Sequence, residues 1–326
     1  MADLSELIGQ SDAIEGVRSD LRKLLALARD GRRLPAILIH GETGTGKGLV
    51  AKLLHRHGPR ARGPFVDINC AAIPETLLEA ELFGYERGAF TDARQAKQGL
   101  FQASSGGVLF LDEIGVLPET LQAKLLTVIE EKAVRRLGRT TKETFDTWLV
   151  SATNADLGAA VRARRFREDL YHRIAVLTVR LPPVRERAGD AVLLAERFLE
   201  RACLDYGVPA RRLTPAVRAL IAADAWPGNV RELANVVERL ALLMDGTDVT
   251  AADFTNARGA SVPIAPEVSA AVAPGDDRER LLAALEATGW NIVRTAAMLG
   301  LARNTVRARM DRYGLRGLRD ARAPAA

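Results

Sequence analysis

Gly41-Glu42-Thr43-Gly44-Thr45-Gly46-Lys47 stands between the apolar run Ala36-Ile37-Leu38-Ile39 and the helical run Leu49-Val50-Ala51-Lys52-Leu53-Leu54. The order is strand, glycine loop, helix. Glycines let backbone N–H groups turn inward around phosphates, the helix N-terminus adds its dipole, and the lysine reaches the β/γ-phosphates. The stretch is read as a P-loop, with Gly41 to Gly48 as the nucleotide-binding residues. A glycine turn that binds nothing is the alternative, and the flanking strand and helix argue against it. Gly48 departs from the general pattern. Many P-loops carry Ser or Thr there to touch magnesium, so here the metal must lean on the phosphates and a distant acid. Gly48 also costs the first helical turn up to ~1 kcal/mol relative to Ala.

Val108-Leu109-Phe110-Leu111-Asp112-Glu113 runs four apolar residues into two acids, the form of a buried parallel strand that delivers carboxylates at its C-terminal end. Asp112 is placed to hold Mg2+ directly or through water, and Glu113 to accept a proton from, or orient, the attacking water. Paired acids also cap helices; after a P-loop, the catalytic reading is preferred. Pro64 to Cys70 alternates like a strand with a polar tip, and the strand Trp148 to Asn154 again ends in polar groups, which puts Asn69 and Asn154 at the ligand crevice of an α/β sheet. A turn-capping Asn is the commoner use of such a residue. The rhythm predicts an α/β fold: a mostly parallel sheet with helices on both faces, entered through a helix over Leu7 to Arg29 with Ser11 as its cap.

Between these strands, Phe83 to Ala93 interrupts a helical pattern with glycines, and predicts a projecting loop. An ordinary surface loop with Phe90 folded into the core would have the same composition. Ala133 to Gly138 with Phe145 to Trp148 reads as an inserted hairpin. Phe166-Arg167-Glu168-Asp169-Leu170-Tyr171-His172-Arg173 carries two arginines six apart on a charged helical segment, where solvated surface arginines are the usual finding. From Pro182 the spacing is helical throughout, predicting a small helical domain in which Trp226 to Leu233 turns into a helix with Arg231 in its first turn. Residues 256–275 hold Pro263, Pro266 and Pro274 without helical spacing and read as a linker.

Beyond the linker, helices over 278–287, 292–299 and 303–313 with a turn at Gly300-Leu301 form a helix-turn-helix pattern, with a plain helical hairpin as the alternative. Its core is expected from Leu282, Leu285, Ala297, Leu299, Val306 and Met310. Its outward face offers Arg303, Asn304, Thr305, Arg307 and Arg309 to DNA. The 326-residue chain carries a net +5, yet residues 276–326 alone carry +4 from ten Arg against six acids, which leaves +1 elsewhere. A basic C-terminal segment is the electrostatic footprint of a nucleic-acid contact, although a solvated basic face has the same charge.

Composition is that of a globular protein, 48% apolar and 27% charged. No apolar run approaches the ~18 residues of a membrane span, the N-terminus lacks the regions of a signal peptide, and the expected location is the cytoplasm. Cys70 and Cys203 are too few for a disulfide scaffold and read as buried thiols; four histidines show no zinc spacing.

Together these residues resemble the AAA+ bacterial enhancer-binding proteins, activators that remodel RNA polymerase carrying sigma-54. The resemblance spans Leu7 to Leu315, and its most telling element is Gly88-Ala89-Phe90-Thr91-Asp92-Ala93, which is similar to that family's GAFTGA loop in five of six positions. It implies an AAA+ ATPase subdomain over 1–182, a helical lid over 183–255, the linker over 256–275, and a Fis-type helix-turn-helix over 276–326. It further implies ATP and Mg2+ as cofactors and a homo-oligomeric ring, a hexamer assembled from dimers, with ATP between subunits. The implied partners are sigma-54 RNA polymerase holoenzyme and enhancer DNA, with no membrane.

By the same resemblance, Asn69 restrains Glu113 and Asn154 is a first sensor. Arg167 and Arg173 are arginine fingers given to the neighbour, and Arg231 is a second sensor within its own subunit. Gly88 to Ala93 contacts sigma-54, with Phe90 and Thr91 leading. Three departures stand out: Asp92 for the usual second glycine, Gly48 for the usual Glu, and no receiver or ligand-sensing domain before Leu7. The last implies control by a partner protein in trans or by expression level. A DNA-binding AAA+ regulator independent of sigma-54, a general AAA+ motor and a nucleotide-binding module with little turnover are the rival readings.

Overall fold

The computed structural model describes residues 3–30, 34–90, 93–244, 246–259 and 274–288, then Trp290, Thr295, Leu299, Val306, Arg309, Met310, Tyr313 and Leu315. Two compact units separate at residue 261, Met1–Ser261 and Val262–Ala326.

In chain order the first unit opens with α1 (Asp12–Asp30), β1 (Ile37–His40), α2 (Lys47–His57), β2 (Phe65–Asn69), α3 (Glu75–Phe83), β3 (Gly84–Tyr85), β4 (Lys97–Gln98), α4 (Leu100–Ala103) and β5 (Val108–Asp112). It continues with α5 (Glu119–Glu131), β6 (Ala133–Val134), β7 (Glu143–Thr144), β8 (Trp148–Thr153), α6 (Leu157–Arg162), α7 (Glu168–Ile174) and β9 (Leu177–Arg180). The helical part holds α8 (Asp190–Tyr206), β10 (Arg212–Leu213), α9 (Pro215–Ala223), α10 (Asn229–Leu243), β11 (Asp248–Val249) and α11 (Ala251–Gly259).

Five strands form one parallel sheet in the order β2-β5-β8-β1-β9. Both faces are covered, so the strands read as continuous apolar runs. Successive residues go to opposite layers. Ile37, Ile39, Val108, Phe110, Trp148 and Val150 join α1 and α2 on one face. Leu38, Leu109, Leu111 and Leu149 join α3, α5, α6 and α7 on the other. Register then brings the strand tips to one edge: Asn69 faces Asp112, and His40 faces Thr153. The P-loop leaves β1 at that edge, beside the tips that carry the acids. This is the α/β architecture that the sequence predicts, with the lid as a separate apolar cluster.

That cluster gathers Leu194, Leu199, Val217, Ile221, Trp226, Leu233, Val237, Leu240 and Phe254. Helix α11 continues to Gly259, burying Ala257, so residues 256–259, expected in the linker, belong to the helical part. Its Arg258 holds Asp224 at 2.7 Å, pairs with Glu232, and lies 4.9 Å over the Trp226 ring. Residues 260–273 lie outside the described residues.

In the second unit, α12 (Pro274–Ala287) meets Val306, Met310 and Leu315 through Leu281 and Leu285. Leu281 is buried, while Leu282, expected in the core, and Leu299 are only partly buried against it. Residues 281 and 285 are one turn apart and centre the buried face, which leaves 282, three residues before 285, at its margin. Thr288 and Thr295 hydroxyls bond at 2.6 Å across the following turn. Arg309 is half-buried, and Arg303, Asn304, Thr305, Arg307 and Ala297 lie outside the described residues.

Candidate functional site

Gly44 (φ 81°) and Gly46 (φ 104°) take left-handed backbone in the P-loop, a conformation glycine adopts without strain. The Lys47 ammonium, almost fully buried, donates to the carbonyls of Gly41 at 2.9 Å and Glu42 at 3.3 Å, and lies 3.5 Å from Glu113. It is thus poised under the loop, beside the acid at the β5 tip. Thr45 is buried and donates to the Glu42 carbonyl at 2.8 Å. A side chain at Gly48 would point into open space, with Phe110 as its first neighbour at 4.0 Å.

At the end of β5, Glu113 has φ 54° and ψ 45°. Left-handed backbone costs a non-glycine residue ~1–2 kcal/mol, and such strain is characteristic of functional sites. The twist turns its carboxylate toward Lys47 and Asn154, whose N–H donates to Glu113 at 3.3 Å. The Asn154 side-chain amide donates to the Thr43 hydroxyl at 3.0 Å, so the β8 tip touches the P-loop. Burial, then the adjacent Glu113, pushes the Asp112 carboxyl above its ordinary value, against the pull of Lys47 and Arg231. A carboxylate crowded in this way, at the mouth of a phosphate loop with open space at Gly48, fits a divalent cation. Among the described residues no three His, Cys, Asp or Glu side chains gather to hold a metal, so Asp112 would be joined by phosphate and water oxygens.

Asn69 pairs in register with Asp112, but its carboxamide oxygen accepts the Ala71 N–H at 2.9 Å, a turn-capping bond. Neighbouring Cys70 is buried, as is Cys203, and burial followed by Asp112 pushes the Cys70 thiol up to about 12.

Arg231 sits in the first turn of α10, its N–H donating to the Gly44 carbonyl at 3.3 Å. Three residues unforeseen from the sequence join it. Arg185 forks onto the Glu42 carboxylate (2.8 Å for one arm), and Asn229 donates to Glu42 at 3.1 Å and to the Thr43 carbonyl at 3.0 Å. Arg187 donates to the Thr45 carbonyl at 3.1 Å, and its burial lowers its own pKa to about 10. The Arg185 fork holds the Glu42 carboxyl down at about 2. Glu42, expected to bind nucleotide, therefore gives its side chain to the lid.

Arg167 and Arg173 lie elsewhere. Buried Gln122 accepts the Arg167 N–H at 2.8 Å, and the Arg167 guanidinium binds Asp169 at 2.7 and 3.0 Å. Arg173 lines a cleft of about 490 Å³ with Leu34, Lys132 and Phe145. Among the described residues neither side chain bonds the P-loop of its own chain.

The interrupted helix after α3 becomes the β3-β4 hairpin. Near its tip the Gly88 N–H donates to the Ala93 carbonyl at 2.8 Å, and the Ala93 N–H to that of Phe90 at 3.0 Å. Phe90 is 41% exposed and rests on Tyr85, ring centres 4.9 Å apart, so it stays out of the core. Thr91 and Asp92 lie outside the described residues. The expected second hairpin is β6-β7, and its Arg136 and Arg139 bracket Glu86 and Glu143 at the loop base.

Fold and site define a P-loop ATPase core of AAA+ type with a helical lid. Residues 7–180 match the sigma-54 interaction domain, 185–269 an AAA+ ATPase lid domain, and 276–313 the Fis family of bacterial regulatory proteins. The chain belongs to the sigma-54 interaction domain family. Similar proteins include the response regulator protein PilR of Pseudomonas aeruginosa, 43% identical over 95% of this chain and 70% of its own length. The Nif-specific regulatory protein of Azotobacter vinelandii is 44% identical over 84% of this chain and 53% of its own. The chain thus spans from about half to 70% of the length of these relatives. NtrX of Brucella abortus, solved with ADP, superposes with TM-score 0.70 at 34% identity, over 94% of this chain and 70% of that one. A RuvB variant of Thermotoga maritima shares the fold alone, at TM-score 0.50 and 18% identity over 94% and 87% of the two chains. No described helix is long and apolar enough to cross a membrane.

Proposed function

We propose that this chain is an ATP-hydrolysing transcription activator that binds enhancer DNA and remodels the sigma-54 RNA polymerase closed complex into the open one. The observation that carries it is the joint presence, on one sheet edge, of the P-loop with buried Lys47, the Asp112-Glu113 pair and Asn154, in a chain whose inserted hairpin offers Phe90 to solvent. Family membership and the ATP- and ADP-bound NtrX structures support nucleotide as the ligand.

In this reading the P-loop amides and Lys47 hold the β/γ-phosphates, and Asp112 holds Mg2+, which when bound neutralises phosphate charge. Glu113 orients and deprotonates the attacking water, with Asn154 reporting the nucleotide state to Thr43. Asn69, now capping its turn, would release that bond to restrain Glu113. Arg231 acts within its own subunit. Arg167 and Arg173, unengaged with their own P-loop, serve a neighbour's nucleotide in a ring, where one arginine is worth ~10³ or more in rate. The segment from Gly88 through Thr91 and Asp92 to Ala93 would press Phe90 on sigma-54. Arg303, Asn304, Thr305, Arg307 and Arg309 would read DNA.

Purified Glu113→Ala is expected to bind ATP with near-unchanged affinity and lose hydrolysis by ~10² or more. Arg167→Ala is expected to lose hydrolysis while binding ATP. Full turnover by Glu113→Ala would remove the catalytic assignment.

A further inference from the structure

Five contacts join the helical part to the P-loop, and all five end on loop carbonyls or the Glu42 carboxylate rather than on any surface a nucleotide needs. Arg185 and Asn229 hold Glu42, Asn229 also holds the Thr43 carbonyl, Arg187 holds that of Thr45, and the Arg231 N–H reaches that of Gly44. Asn229 is fully buried, left-handed at φ 54°, and its own carboxamide oxygen accepts the Val184 N–H at 2.8 Å. One side chain therefore ties the hinge entering the lid, the first residue of α10 and the phosphate loop. The backbone confirms how closely they fit: a Cβ at Gly44 would stand 2.3 Å from the Gly228 carbonyl oxygen.

We infer that Glu42 is a lid-positioning residue: gripped by Arg185 and Asn229, its carboxylate fixes the Trp226-to-Asn229 turn over the P-loop and so presents Arg231 to the bound phosphates. This rests on the nucleotide reading of the loop and deepens it. Glu42 acts through Arg231 and does not touch nucleotide. The Arg231 N–H bond to the Gly44 carbonyl sets the first turn of α10 directly against the phosphate loop. Losing the Glu42 grip should then weaken ATP more than ADP, since ATP carries the extra phosphate.

The test uses the full chain with Glu42→Gln, Glu42→Ala, Arg185→Glu, the swap Glu42→Arg with Arg185→Glu, Arg231→Ala, and Glu42→Ala with Arg231→Ala, each folded by circular dichroism. ATP and ADP affinities and kcat are measured. Half-exposed ion pairs reach ~1 kcal/mol, about fivefold in affinity. Glu42→Ala is expected to raise the ATP KM about two- to fivefold with kcat within twofold, and ADP affinity is expected to fall less. The swap should recover most of the KM, and Glu42→Ala should add little to Arg231→Ala, as coupled neighbours do. Fully additive losses, an equal effect on ADP, or a swap no better than its single variants would overturn the inference. Lys47→Ala binding ATP as tightly as the parent chain would instead overturn the nucleotide reading itself.

Discussion

Three glycines of one loop should respond to alanine in three different ways, because the structure gives each a different obstacle. Gly48 has ordinary helical backbone as the second residue of α2, and an added Cβ meets only Phe110 at 4.0 Å. Alanine there restricts the unfolded chain and suits a helix, a gain of ~0.5–1 kcal/mol. Gly46 also has open space, but its φ of 104° would strain any side chain, for a loss of ~1–2 kcal/mol. Gly44 combines φ 81° with a 2.3 Å clash against the Gly228 backbone, so alanine must also push the lid turn away, and the loss should exceed that at Gly46.

For a unit of this size 1 kcal/mol moves Tm by ~2–4 °C. Gly48→Ala is therefore expected to raise Tm by ~1–4 °C, Gly46→Ala to lower it by ~2–8 °C, and Gly44→Ala to lower it further. Calorimetry of the nucleotide-free proteins, checked by urea unfolding, measures this. A Gly48→Ala protein less stable than the parent, or a Gly46→Ala protein equal to it, would refute the reasoning.

Further expectations concern the metal, the lid and pH. Gly48→Thr restores a hydroxyl where P-loops use one for magnesium, so the Mg2+ concentration giving half-maximal ATPase should fall severalfold. Arg258→Leu strands the Asp224 and Glu232 carboxylates, both mostly buried, and uncovers Trp226; chemical denaturation should show a loss of ~3 kcal/mol. Glu42, ordinarily near 4.5, is held at about 2, so its pairing with Arg185 stabilises the fold above pH 4.5 and is lost as pH falls toward 2. Glu42→Gln should thus be less stable than the parent at pH 7 by a small, salt-sensitive margin, since the pair is half-exposed, and equal to it near pH 2.

Much of this fold is legible in local sequence because its signals are local. A strand, a glycine loop and a helix in succession define the P-loop, and four apolar residues before two acids define β5. The tips carrying Asn69, Asp112 and Asn154 then follow from the parallel sheet alone. What stays hidden depends on distance along the chain. Glu42 meets Arg185 and Asn229 across 143 and 187 residues, and no spacing rule reaches that far. Glu42 therefore looks like part of the nucleotide loop, although its side chain serves the lid. Asn69 carries a similar ambiguity, resolved toward Ala71 by the Asx turn after β2.

Helix faces are a finer test. In α12 adjacent leucines compete for one core position, and only the packing of Val306 and Met310 selects Leu281 over Leu282. The left-handed backbone of Glu113, Trp226 and Asn229 is also invisible in sequence, since none of these residues requires it. All three lie at the acid tip or the lid turn, where local preference gives way to the geometry of the site.

The central claim, that ATP turnover at this site drives sigma-54 remodelling through the hairpin carrying Phe90, is tested most directly by open-complex formation on a sigma-54 promoter. Purified protein is combined with sigma-54 holoenzyme, with and without ATP, beside the Phe90→Ala variant. The account predicts opening that requires ATP and is lost in Phe90→Ala while its ATP hydrolysis continues. ATP hydrolysis without opening, or opening unaffected by Phe90→Ala, would contradict it.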